Sequence, residues 1–329
     1  MSAAPPSPRL PVEQILRKQK VTSYTEELDL SGASDLTPSM LQVICELMPK
    51  LVRLSVHGTG LKSVPDAVCR LRDLRELNLS NNQLTALPST VIGLGALQHL
   101  NVAKNILSEL PAAFGVMPSL RLLNANNNRL VRLPDSFGQL AQLRVLRLGA
   151  NLLETLPASF CHLAGLRLLQ MGHNGFKQFP SVLGKLDRLS VLDVSFNQLT
   201  SLPDYLRNMT ALATLNVTGN DLKQVPAALQ LPQELRITGM YSLLADGSPA
   251  PEASRSDSVM VRRHDLRPVG SSPDLTEPSA RRPEPRPRAA RPDFNGPQGQ
   301  LDVTGIFLAG LLPGGNDADE GPEPRGKKR

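Results

Sequence analysis

Residues 74–96 read LRELNLSNNQLTALPSTVIGLGA, and residues 143–165 read LRVLRLGANLLETLPASFCHLAG. Both stretches hold one frame: an opening Leu, an LxL pair, an Asn, a Leu-Pro pair, then two further apolar residues. Working outward, the opening Leu recurs at Leu51, Leu74, Leu97, Leu120, Leu143, Leu166, Leu189, Leu212 and Leu235, always 23 residues on. A frame kept without insertion is one structural unit repeated. Such a unit cannot bury its own apolar face, so the units must stack and share a core.

Each position in the frame has a physical job. The LxL pairs, Leu77 with Leu79 and Leu146 with Leu148, alternate with period two. They predict short parallel strands whose Leu side chains point inward while their neighbours face solvent. The Asn series (Asn82, Asn105, Asn128, Asn151, Asn174, Asn197, Asn220) falls where the chain leaves the strand. There a buried amide can serve backbone groups that have lost their sheet partners, and Thr59 stands in for it in the first unit. A Pro series from Pro65 to Pro226 stiffens the next turn, and apolar residues such as Val91, Phe114, Phe137 and Phe160 close the opposite side on short helical turns.

This LxxLP signature at a 23-residue period resembles the intracellular Ras-group leucine-rich-repeat class, which includes Ras-suppressor and scribble-like scaffold proteins. The resemblance covers roughly residues 28–235. It implies an α/β solenoid, a horseshoe with a parallel β-sheet on its concave face, expected here as a monomer. It also implies a protein–protein interaction scaffold or regulatory subunit that binds a folded partner, with a small GTPase or a phosphatase as the partner class.

The repeats divide the chain. Residues 1–27 form an N-terminal flank in which Val12–Lys20 can fold as a capping helix. The repeat domain spans 28–240: a degenerate first repeat, eight regular repeats, and a partial last strand at Leu235–Ile237. In the first repeat, Thr37 and Pro38 start a helix through Cys45. Residues 241–329 are rich in Pro and Arg and are expected to be disordered, because they bury too little apolar area to offset chain entropy. One apolar island, LDVTGIFLAGLLP at 301–313, interrupts this tail, either as a segment tucked back on the solenoid or as a docking or export motif. Ser271 and Ser272, close to Arg and Pro, are candidate phosphorylation sites, and the terminal GKKR has the form of a nuclear-import signal.

Composition narrows the function. Among 329 residues aromatics make up 3% and Trp is missing, which speaks against base stacking and hence against nucleic acid as partner. Residues 28–240 carry 19 Lys and Arg against 14 Asp and Glu, a mild basic excess that suits an acidic protein surface. Three unpaired-looking Cys, an N-terminus without an apolar signal core, and no apolar run of membrane-spanning length point to a cytoplasmic chain, with a nuclear share left open. The five His occupy different repeat positions, and no phosphate loop, nucleophile elbow or metal-ligand spacing occurs. Cys69 and Cys161 share a convex position and read as small packing residues. No enzyme, cofactor or metal is expected.

The binding surface is then sought on the strand residues that face outward. Just before each buried pair stand Leu122, Val145, Leu168 and Val191, apolar where polar residues would cost nothing. Arg147, His173, Asp193 and Phe196 accompany them on repeats four to seven, completing a candidate partner-binding patch. Beside it, Arg121, Arg144 and Arg167 form a ladder of like charge, either a solvated face or a contact for an acidic partner. Three alternatives stand beside the scaffold reading: a structural subunit of a large assembly, a binder of anionic surfaces through the Arg ladder, and a ubiquitin-ligase substrate adaptor. The last rests on RLPVEQIL (9–16), which resembles the opening of an F-box, and LQVIC (41–45), which resembles an elongin-binding box.

Overall fold

The first Leu of each LxL pair does form the centre of a three-residue strand. In the computed structural model, which describes residues 10–222 and 236–238, the strands are β1 (Glu27–Asp29), β2 (Arg53–Ser55), β3 (Glu76–Asn78), β4 (His99–Asn101), β5 (Leu122–Asn124), β6 (Val145–Arg147), β7 (Leu168–Gln170), β8 (Val191–Asp193), β9 (Thr214–Asn216) and β10 (Arg236–Thr238). They pair in chain order as a single parallel sheet of ten strands. From β2 to β9 the register advances by one 23-residue unit at each step, so that Leu77, Leu100, Leu123 and Leu146 stand side by side.

The two ends depart from this frame. Leu28 lies opposite Leu54, so the degenerate first repeat is longer by three residues. At the far end Ile237 lies opposite Leu215, a spacing of 22. The partial last strand expected at residues 235–237 is therefore found one residue further on, at Arg236–Thr238. A strict 23-residue step would set Thr238 against Leu215, and slipping by one residue buries Ile237 instead.

The inner Leu residues fill one continuous core with the apolar residues of the convex turns. Those turns are mostly short 3-10 helices, such as Asp135–Gln139 and Ala158–His162. Phe114, Phe137 and Phe160 lie fully buried in successive turns with their rings stacked nearly parallel, 6.3 and 6.0 Å apart. At the bends the Asn series works as its position suggests. Asn105 Nδ2 donates to the carbonyls of Leu79 and Val102, both at 3.0 Å, and its Oδ1 accepts from the Leu84 amide at 3.0 Å. Thr59 substitutes by donating its hydroxyl to Val56 O and to the Asn82 side chain.

Helix α1 (Val12–Gln19) and helix α2 (Pro38–Leu47) close the N-terminal end of the core. Thr37 caps α2, its Oγ1 accepting from the Met40 amide, and the helix continues two residues past Cys45. Asp35 accepts a hydrogen bond from the Val12 amide and so fixes α1 on the array. The same packing takes up part of the adaptor-like segments. Val12, Ile15 and Leu16 of the first, and Leu41, Ile44 and Cys45 of the second, are buried in the cap. Among the described residues, no helix is long and apolar enough to cross a membrane. Ser271, Ser272, the island at 301–313 and the rest of the tail lie outside the described residues.

Candidate functional site

The concave face is built from the strand residues on either side of each buried Leu. Backbone pairing sets Leu122 against Val145, Val145 against Leu168, and Leu168 against Val191. All four are half-exposed, so β5–β8 present an unbroken apolar row to solvent. At the strand spacing of about 4.8 Å the row is about 14 Å long.

A basic margin runs alongside. The Arg144 amide donates to Arg121 O and the Arg167 amide to Arg144 O, both at 2.8 Å, which stacks the three residues at one strand spacing. Among the described residues, none of the ion pairs involves Arg121, Arg144 or Arg167. On the other side of the apolar row lies a polar series in which Asn78, Asn101, Asn124, Asp193 and Asn216 each turn back to accept the amide two residues on. Asp193 in addition accepts the Ser195 hydroxyl at 2.6 Å, so one of its oxygens is engaged within its own repeat. Arg147 breaks that pattern. Among the described residues its Nε is buried without a hydrogen-bond partner, a costly state for a charged donor and one that an incoming acceptor would relieve.

The loop edge of the face follows from a backbone constraint. Asn81, Lys104, Asn127, Ala150, His173 and Phe196 all adopt positive φ, between 49° and 57°, at the residue before each buried Asn. Only Gly takes that conformation without strain, so the side chains there are held outward at some cost. Two of them meet: the His173 and Phe196 rings stack at 4.3 Å, and the Phe196 ring lies over Gly219, leaving no room there for a Cβ. Phe196 is 50% exposed. The residues named from sequence thus assemble as a row, a margin and an aromatic corner on one face.

One part of the face was not singled out in the sequence. A hollow of about 560 Å³ sits over β1–β5, lined by Glu27, Arg53, Glu76, His99 and Asn101, with Leu122 at its border. Across strands Arg53 pairs with Glu27 and His99 lies 3.6 Å from Glu76, and Asp29 also lines the hollow. The alternation of acid and base in the register Glu27, Arg53, Glu76, His99 was the available signal. The concave face therefore has two halves, a polar hollow and an apolar row with an Arg margin.

The thiols are placed for packing. Burial pushes the Cys45 thiol up to about 12, and Cys69 is raised for the same reason, so both stay protonated and poorly nucleophilic. Cys161 is half-buried on the convex side. Among the described residues, no cluster of three His, Cys, Asp or Glu side chains could hold a metal ion.

Comparison with known proteins agrees with the repeat fold. The family described as leucine-rich repeat region matches residues 133–241, and the leucine rich repeat family matches 49–107 and 72–130. No curated protein sequence matches the chain. Among solved structures, the plant peptide hormone receptor RGFR1 in complex with RGF2 is similar at 27% identity and a TM-score of 0.53, over 64% of this chain and 36% of that one. The ectodomain of the Arabidopsis thaliana receptor kinase GASSHO1/SCHENGEN3 shares the fold at 24% identity and a TM-score of 0.54, over 65% and 30%. The internalin inlF of Listeria monocytogenes does so at 18% and 0.53, over 72% and 79%. The chain thus spans about a third of either plant receptor chain.

Proposed function

From the premise that this chain belongs to the leucine-rich-repeat family, whose fold generally mediates protein–protein interaction, we propose that it is a scaffold or regulatory subunit gripping a folded partner on repeats four to seven. The observation that carries this is the half-exposed row Leu122–Val145–Leu168–Val191 beside an Arg margin that makes no ion pair among the described residues. A contiguous apolar strip with polar borders has the make-up of an interface core and rim. The basic margin selects an acidic partner surface, and the buried Arg147 Nε supplies a donor for a carboxylate or carbonyl. His173 and Phe196 form the aromatic corner of the patch. Structural likeness to a receptor solved with its peptide hormone supports the use of this fold for protein recognition.

On this reading the chain acts by binding and not by catalysis. The sequence resemblance to Ras-group repeats points to a small GTPase or a phosphatase catalytic subunit as the partner, within the cytoplasm. The test is affinity purification from cells with the Leu168→Glu, Arg147→Glu double variant. Both side chains are on the solvent face of the sheet, so circular dichroism should be unchanged while the partner is lost. Undiminished recovery of the partner by a folded variant would overturn the concave-face assignment.

A further inference from the structure

The concave face over β5–β8 carries an apolar row with a basic row beside β5–β7 and the polar series Asn124, Arg147, Gln170 and Asp193 on its other side. The chain itself contains a segment with the matching pair of properties. Between Arg291 and Arg325 there is no Lys or Arg, while Asp293, Asp302, Asp317, Asp319, Glu320 and Glu323 all fall there. The same stretch holds the apolar island 301–313, followed by Pro313-Gly314-Gly315 and then Asn316-Asp317-Ala318-Asp319-Glu320. By contrast, residues 241–291 interleave acids with Arg.

We propose that residues 301–320 dock in cis on the concave face of β5–β8 and occlude the partner-binding surface. The apolar end of the island lies on the Leu122–Val191 row, the Pro-Gly-Gly sequence turns the chain back, and Asp317, Asp319 and Glu320 face Arg121, Arg144 and Arg167. The dimensions agree. Five extended residues, Leu308–Leu312, span about 16 Å against a row of about 14 Å. Pro followed by Gly is a turn sequence, and it stands where the return must occur. Five extended residues such as 316–320 reach about 16 Å, enough to cover three Arg spaced over about 10 Å. Residues 239–300 have a contour length of about 200 Å, far more than the about 24 Å from β10 back to β5. The face is thereby regulated by competition: an acidic, partly apolar partner must displace an acidic, partly apolar segment of the same chain.

The inference rests on the concave-face reading, and its test is independent of any partner. In the full-length protein, Phe307→p-benzoylphenylalanine is irradiated at low concentration and the cross-linked peptides are mapped. Cross-links within a single chain to peptides containing Leu122, Val145, Leu168 or Val191 are expected. Reversing the tail charges (Asp317→Lys, Asp319→Lys, Glu320→Lys), which leaves the sheet untouched, should lower their yield about tenfold, the sum of three weak exposed pairs. Reversing Arg121, Arg144 and Arg167 to Glu should do the same, and combining both reversals should restore the yield. Cross-links on the convex turns, cross-links only between copies, or a yield indifferent to charge reversal would each overturn the proposal. If Leu168→Glu with Arg147→Glu releases the partner but no concave cross-link forms, the docking fails and the proposed function stands. Concave cross-links with undiminished partner recovery give the converse.

Discussion

Asn128 occupies a place where three backbone groups have lost their sheet partners. Its Nδ2 donates to Val102 O at 3.0 Å and Ala125 O at 3.1 Å, and its Oδ1 accepts from Leu107 N at 3.1 Å. Asn101, also an Asn on the exit side of a strand, only accepts the Ala103 amide at 3.1 Å and is half-exposed. An unsatisfied buried polar group costs about 1–3 kcal/mol, whereas water can replace an exposed acceptor. Asn128→Ala should therefore destabilise the protein by about 3 kcal/mol after partial relaxation, and Asn101→Ala by less than about 1 kcal/mol. Urea midpoints of the two variants decide the matter, and equal losses would show that the ladder is not what holds the bends. The buried ladder was legible because its residue type never varies from Asn82 to Asn220, whereas the local engagement of Asp193 depends on Ser195 two residues on.

At the level of elements, the convex turns pack more closely than side-chain volume alone suggests. A Cβ at Gly138 would stand 1.9 Å from Ser159 O, and one at Gly115 would stand 1.7 Å from Ser136 O. Ser136 joins the same contact, accepting from the Gly115 amide and donating to Ala112 O. Gly95, also on the convex side, has nothing within 4 Å of such a Cβ. Gly138→Ala should then force adjacent turns apart at a cost of about 2–4 kcal/mol, while Gly95→Ala should be neutral or slightly stabilising. Thermal melts of the pair would test this, and a neutral Gly138→Ala would mean that the turns can slide. These contacts were not legible from the 23-residue frame, because a Gly after Phe114 or Phe137 gives no sign in sequence of which backbone approaches it. The same limit hid the polar hollow, whose paired charges lie 23 or more residues apart and meet only through the register. By contrast the apolar row on β5–β8 was legible, since one residue position of the frame maps to one line across the sheet.

The molecule as a whole is a line of units in which each touches only its neighbours, so its cooperativity depends on the weakest junction. The frame made the line of strands readable, but the slip at Ile237 was not, because it follows from whether Thr238 or Ile237 is the better residue to bury. The junctions of the third, fourth and fifth regular repeats are bridged by the Phe114–Phe137–Phe160 stack, with Phe137 in the middle and fully buried. Phe137→Ala removes both ring contacts and leaves a cavity, at a cost of about 3–5 kcal/mol. In a globule that loss would lower one transition. Here it falls on the two junctions that join the N-terminal units to the C-terminal ones, so the array should separate into two cooperative halves. Urea unfolding of Phe137→Ala should become biphasic or visibly broader, and amide exchange should accelerate first in the strands β4–β6 of the three units the ring joins. Leu28→Ala, at the first strand of the line, removes buried apolar volume without cutting the array and should keep a single transition. A single sharp transition for Phe137→Ala, merely shifted to lower urea, would show that the sheet alone couples the repeats and that the aromatic stack adds only stability.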